Sequence, residues 1–426
     1  MTIIRRVFIL AWFVIVLTTG CAPAPSNSNV TVSTQPSPSP TAAASPSPAT
    51  TETATNEVTL PLLDALLTDD KFVARVKQNL KLSDQQIEDL KRVSSEAVTR
   101  LRENNAEDVD TDGTDAPARA AEQLRTTLGE QKARDLSALA NEYWSKGDTS
   151  AGSTDNLEML KGPNAVPTDT RVVVNIPAFR MDLFQDGSLV KSYKVGIGYP
   201  QFPLPQGLRK AQQIIFNPTW TPPDSPWVAK MKNATAGETI PGGDKDNPLG
   251  PIKIPIGLPS LIHGGKSPAK IGKFASHGCV GLTTPQIKDF AVLLGKAADT
   301  PDVANKMDTY LADKDKTETV KLKETVPVEL RYETIVLEDG KLHIYKDVYG
   351  QGTNTEENLR KVLEANGLKL EDLPQREQIL NALKDVKKET VIDLGSVAQK
   401  GYPAPVDLDT GTGTADKRGS KARIKK

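Results

Sequence analysis

Reactive side chains are scarce in this chain. Only two cysteines and three histidines occur in 426 residues. Neither cysteine belongs to a Cys-x-x-Cys pair, so the common structural zinc arrangements cannot be built. A net basic excess is also missing: 53 basic residues face 54 acidic ones, and no phosphate loop or dinucleotide fingerprint appears. That balance gives nucleic acid no electrostatic foothold. Long apolar runs are missing too. Residues 7–17 make an uninterrupted stretch, but eleven residues fall short of the ~20 that a membrane-spanning helix needs.

What chemistry there is gathers in one place. Ala275-Ser276-His277-Gly278-Cys279-Val280-Gly281-Leu282 follows Ile262-His263-Gly264-Gly265 closely, so one cysteine and two histidines lie no more than 16 positions apart. A thiol becomes a strong nucleophile only as thiolate, which a nearby base or positive charge favours. The glycines allow close backbone approach to a substrate. Three plainer readings stand beside this one. Cys279 is a buried small hydrophobe, as most isolated cysteines are, although Ser-His-Gly is a poor apolar flank. His263, His277 and Cys279 are metal ligands, although a fourth is not evident. Or at least one histidine is simply hydrogen-bonded structure.

These residues carry a resemblance. His263-Gly264 followed by Ser276-His277-Gly278-Cys279-Val280 is similar to the signature of the L,D-transpeptidase catalytic domain, the YkuD-type family of peptidoglycan cross-linking enzymes. Asn247-Pro248-Leu249-Gly250 and Asn217-Pro218-Thr219-Trp220-Thr221-Pro222-Pro223 resemble two more of its stretches, in the same order. The resemblance implies a catalytic domain over residues 171–307 that needs no metal or organic cofactor. It implies that Cys279 attacks a peptidoglycan tetrapeptide stem, releases D-alanine and passes the acyl group to an amine, giving a 3→3 cross-link. On this reading His263 is the proton donor and acceptor, oriented by the Gly264 carbonyl. His277 supports the site, and the Gly278 and Cys279 N–H groups stabilise the oxyanion. Trp220, Ser276 and Gly281 contact substrate, with Tyr199 and Trp227 as further groove candidates. One departure stands out: many members carry Arg where this chain has Gly281. Two rivals stay open. Water in place of the amine would make an L,D-carboxypeptidase or hydrolase, and an inactive wall-binding lipoprotein has its footing in Gly281.

The rest of the chain reads as delivery and support. Arg5-Arg6, the apolar run at 7–17 and Thr18-Thr19-Gly20-Cys21 form a signal segment at residues 1–20 that resembles a bacterial lipoprotein leader, with Cys21 lipidated. Ordinary cleavage leaving a free Cys21 is the alternative. The expected location is outside the cytoplasm, anchored in a membrane and facing the periplasm or cell wall. Residues 21–57 are rich in Pro, Ser, Thr and Ala, and such a tether reaches on the order of 100 Å. Residues 58–148 read as helical, with Ser83 and Gln86 spaced as a capping box. The acidic cluster at 110–115 lacks the later ligands of a calcium loop. From Arg171 the pattern turns to strands, with hairpin signals at Asp186-Gly187 and Asp339-Gly340. The loop at 227–247 is long enough to be a lid. Residues 326–390 are assigned to a C-terminal hairpin with helices, and His343 is read as structural. Residues 411–426 form a basic tail. The fold expected is a mainly β catalytic domain, sandwich- or barrel-like with one or two helices, preceded by a helical region and followed by a short α/β tail.

Overall fold

The computed structural model describes residues 58–103, 115–146, 158–223, 226–229, 231–257, 260–395 and 401–412. The signal segment, Cys21, the tether, nearly all of the acidic cluster and the tail beyond 412 lie outside them.

Five helices come first: α1 (Leu60–Leu67), α2 (Asp70–Leu80), α3 (Asp84–Glu103), α4 (Asp115–Leu128) and α5 (Glu130–Lys146). A reciprocal cap starts α3. The Gln86 N–H donates to Ser83 Oγ and the Ser83 N–H donates to Gln86 Oε1, each at 3.2 Å. Apolar residues at helical spacing then turn inward. Ile87, Leu90 and Val93 meet Phe72, Val76, Leu124, Leu136 and Trp144 in one buried cluster. Val98 is the exception, packing instead on Tyr199 and Phe202.

Strands β1 (Arg171–Asn175), β2 (Arg180–Gln185) and β3 (Ser188–Lys194) form a meander. Asp186 and Gly187 join the last two with φ of 48° and 77°, as a two-residue primed turn requires. There follow β4 (Ile197–Gly198), β5 (Gly207–Phe216), the single turn α6 (Pro226–Ala229), β6 (Ile252–Pro255), β7 (Leu261–His263), β8 (Phe274–Ser276), β9 (Val280–Gly281), α7 (Thr284–Ala297), α8 (Asp302–Ala312) and β10 (Glu318–Arg331). Eight of these strands form one sheet in the order β3-β2-β1-β10-β5-β6-β7-β9. The strand β10 lies across the stretch between the two regions drawn from sequence. It starts at Glu318 and sits mid-sheet, parallel to β1 and antiparallel to β5. Its partners are distant in sequence, so no local pattern reveals them.

The sheet curls until its ends meet. Gly196, just after β3, exchanges both backbone hydrogen bonds with Gly281 on β9, each 2.8 Å. Inside lie Val174, Val328, Ile214, Ile254, Ile262 and Val280, closed over by Ile287, Phe290 and Leu294 of α7. Thr283 and Gln286 cap that helix reciprocally.

The C-terminal part adds β11 (Ile335–Glu338), β12 (Lys341–Ile344), α9 (Glu356–Ala365), α10 (Arg376–Lys384) and β13 (Thr390–Asp393). Its three strands pair in the order β11-β12-β13 over a separate apolar cluster. His343 lies on β12 with Nδ1 2.8 Å from Glu389 Oε1. The final strap, residues 401–412, covers the outer edge of β3: the Ser192 and Lys194 N–H groups donate to the carbonyls of Val406 and Asp409 at 2.9 Å. The whole is a mainly β, curled-sheet domain with helices before it and a small α/β unit after it.

Candidate active site

Strand register decides what the site contains. On β6, β7 and β9 the residues Lys253, His263 and Gly281 stand side by side across the sheet. The intervening Ile262 and Val280 point into the core, each fully buried, so the row faces the opposite way. Cys279 immediately precedes β9, and its sulfur faces the backbone N–H of Leu261 on β7. Imidazole and thiol therefore hang from neighbouring strands.

His263 is 3% exposed, and its Nδ1 lies 2.8 Å from the Gly264 carbonyl oxygen. A carbonyl only accepts, so Nδ1 carries the proton and the Nε2 lone pair is left as acceptor. Burial and then the Lys266 ammonium push the imidazole down to about 3; the Gly264 and Leu249 backbone oppose this without offsetting it. Burial pushes the half-buried Cys279 thiol up, while the Leu261 N–H and the Lys266 charge pull it back. Resting thiol and neutral imidazole are thus the forms this environment favours.

Ser276 closes the turn that carries Cys279. Its hydroxyl donates to the Cys279 carbonyl at 2.5 Å and accepts the Cys279 N–H at 3.1 Å. The side chain is committed to closing the 276–279 turn, and the Cys279 N–H, counted on for the oxyanion, already has an acceptor. Gly278 sits in this turn at φ 85°, which few side chains tolerate, and its carbonyl accepts from Ser260 Oγ at 2.9 Å. His277 packs edge-on against Phe202, with ring centroids 4.4 Å apart, and against Tyr199 at 5.6 Å. Half-buried Trp220 is bridged to Ile240 by two backbone hydrogen bonds of 2.9 and 2.8 Å. The Trp227 side chain lies outside the described residues.

Two asparagines organise the long stretch before β6. Asn217, at φ 44°, donates its amide to the Tyr310 and Asp313 carbonyls at 2.7 and 2.8 Å. Asn247 donates to Pro218 and Pro241 at 2.8 and 3.0 Å and accepts the Leu249 N–H at 3.0 Å. Gly250 then lies so close to the His-Gly-Gly segment that a Cβ there would sit 2.4 Å from the Gly265 nitrogen. The two motifs are separate in sequence because they are opposite sides of one contact. Neither asparagine was singled out from sequence for this duty; a lone Asn beside Pro reads as an ordinary turn.

Above Gly281 there is no free space. A Cβ built there would fall 2.8 Å from Lys266 Cγ and 2.9 Å from Cε. Lys266 escaped sequence reasoning, since one lysine among 53 basic residues carries no signal. Among the described residues no three His, Cys, Asp or Glu side chains converge as a metal site would require.

This stretch of the chain is similar to known proteins. The family model of the L,D-transpeptidase catalytic domain (YkuD) matches residues 169–306. The probable L,D-transpeptidase ErfK/SrfK of Escherichia coli strain K12 is 30% identical over 122 residues, 28% of this chain and 38% of the relative. The probable L,D-transpeptidase YbiS of the same strain is 33% identical over 124 residues, 28% and 39%. The match therefore spans about two-fifths of the length of these curated relatives. Among solved structures, the catalytic domain of an L,D-transpeptidase from E. faecium is 17% identical, with 39% of this chain and 100% of that one covered and a TM-score of 0.24.

Proposed function

We propose, from the premise that residues 169–306 carry an L,D-transpeptidase catalytic domain, that this protein transfers peptidoglycan acyl groups through Cys279. The substrate is a tetrapeptide stem. Cys279 Sγ attacks the carbonyl of its third residue, the thiol proton passes to His263 Nε2, and the same proton goes to the nitrogen of the departing D-alanine. A thioester remains. The amine of a neighbouring stem then attacks it, gives its proton to His263 and restores the thiol, leaving a 3→3 cross-link. The observation that carries this reading is the 2.8 Å contact from His263 Nδ1 to the Gly264 carbonyl, which fixes the tautomer that leaves Nε2 basic. Because the imidazolium is disfavoured so strongly, it exists only while negative charge stands beside it.

Purified disaccharide-tetrapeptides test the proposal. Wild type is expected to yield dimers, and Cys279→Ala none. His263→Gln is expected to lose about 10²–10⁴-fold in rate, the usual worth of a general base. Shortened monomers without dimers would replace transfer by hydrolysis. A carbapenem is expected to add its mass to wild type and not to Cys279→Ala; no adduct on wild type would point to an inactive domain. Residues 1–21 fit the same picture, a lipidated Cys21 holding the enzyme outside the cytoplasm, and intact mass of membrane-extracted protein checks that. Among the described residues no helix is long and apolar enough to cross a membrane.

A further inference from the structure

Gly281 is an empty place in an otherwise filled row. Lys253 and His263 precede it across the sheet, and its own N–H and carbonyl are both satisfied by Gly196 on the far side. The space its side chain would take holds the stem of Lys266 instead, Cγ, Cδ and Cε at 2.8, 3.3 and 2.9 Å from the ideal Cβ position. The backbone fixes that course, since the Lys266 N–H donates to the Leu282 carbonyl at 3.0 Å. Lys266 is half-buried, and among the described residues no carboxylate pairs with it.

We propose that Lys266 is a positioning residue of the cysteine site, its ammonium carried across Gly281 to serve as counter-charge to the Cys279 thiolate. The absence of a side chain at 281 is what admits the lysine. A half-buried ammonium without a carboxylate is costly unless an anion forms beside it, and the developing thiolate is that anion. Burial lowers the Lys266 ammonium and raises the Cys279 thiol, and against that burial the two charges oppose the shifts in each other, the lysine pulling the thiol down and the thiolate holding the lysine up. The charged and titratable groups sharing the place are Lys253 on β6 and His263 on β7, with Lys266 and Lys270 in the segment after β7. The same ammonium presses on His263, which divides the work: Lys266 holds the sulfur's charge and the imidazole only moves protons. No atom is transferred to or from the lysine.

This inference deepens the acyl-transfer reading and rests on it, but its test needs no cell-wall substrate. The rate of Cys279 alkylation by iodoacetamide is followed against pH on the full chain, resolved by mass on the peptide that bears Cys279. In Lys266→Met the reaction is expected to be about tenfold slower at pH 7, its midpoint displaced upward, since an opposite charge nearby is worth one unit or more. Lys266→Arg is expected to restore the profile. Gly281→Ala keeps the ammonium but displaces its stem, so it is expected to behave like Lys266→Met, and the double variant to be no worse than either. An unchanged profile in folded Lys266→Met overturns the proposal. If that variant does not fold, an unchanged profile in Gly281→Ala overturns it equally. Absence of dimers with the alkylation shifts intact would sink the transferase reading alone; dimers with no shift would sink only the role of Lys266.

Discussion

The helical module at residues 60–146 and the C-terminal module at residues 335–412 lean on the same sheet by different means. The first is attached mainly through apolar surface. Val98 of α3 is buried between Tyr199 and Phe202, and a side-chain hydrogen bond accompanies it, from Thr59 Oγ1 to the Gln201 carbonyl, 2.7 Å. The second adds buried charge to an apolar contact in which Val336, Tyr345 and Tyr402 meet Val173, Ala178 and Phe184. Arg180 on β2 pairs with Asp182 at 2.9 Å and with Glu338 of β11. Its third hand reaches the Pro403 carbonyl at 3.1 Å, and Tyr402 Oη donates to Asp182 at 3.1 Å. An apolar contact tolerates repacking, whereas an ion cluster strands its remaining members when one is removed. The modules also reach the site differently. Phe202 carries the helical module's packing straight to the His277 ring. The C-terminal strap acts through backbone, the Gln286 amide at the start of α7 donating to the Asp409 carbonyl at 2.9 Å.

The largest expected effect involves neither attachment and sets the baseline. His263 titrates near 3 when folded against 6.5 ordinarily, so below pH 6.5 the unfolded chain takes a proton that the folded one refuses. Stability from this group is whole above pH 6.5 and lost as pH falls, about 1.4 kcal/mol per unit and up to about 5 kcal/mol near pH 3. Urea midpoints across pH 3–7 should show this slope, and His263→Gln should lack it. Next comes Arg180→Met, which leaves Asp182 and Glu338 buried without their cation. A loss of about 3–5 kcal/mol in urea unfolding is expected. Val98→Ala should cost about 2 kcal/mol through the cavity it leaves; amide exchange should rise at residues 199–202 and not at 335–345. An equal rise at both would dissolve the distinction between the modules. Smallest is Tyr402→Phe, which removes one hydrogen bond to Asp182 for about 1 kcal/mol, read in the same unfolding experiment.

How much of this was legible beforehand depended on distance along the chain. The turns at Asp186-Gly187 and Asp339-Gly340 could be read because the left-handed backbone they need is a property of those residues alone. The cap at Ser83 is equally local. Cys279 and His263 could be found because scarce residues in a glycine-rich setting are conspicuous. The place of β10 could not be read, since it pairs with β1 across more than a hundred residues. Lys266 was hidden for a related reason: what matters about it is the missing side chain at 281, fifteen positions later, which meets it only after β7 and β9 pair. The turn-closing bonds of Ser276 were not legible, because a hydroxyl beside a cysteine says nothing about which way it turns.

The Gly196–Gly281 bridge is the seam that closes the sheet, and the sulfur lies two residues from it. An unfolded chain has no seam. Its Cys279 lacks both the β7 imidazole and the cation over Gly281, and behaves as an ordinary thiol. The surroundings of Cys279, burial that raises its thiol and the Leu261 N–H and Lys266 charge that pull it back, are therefore a property of the finished tertiary structure.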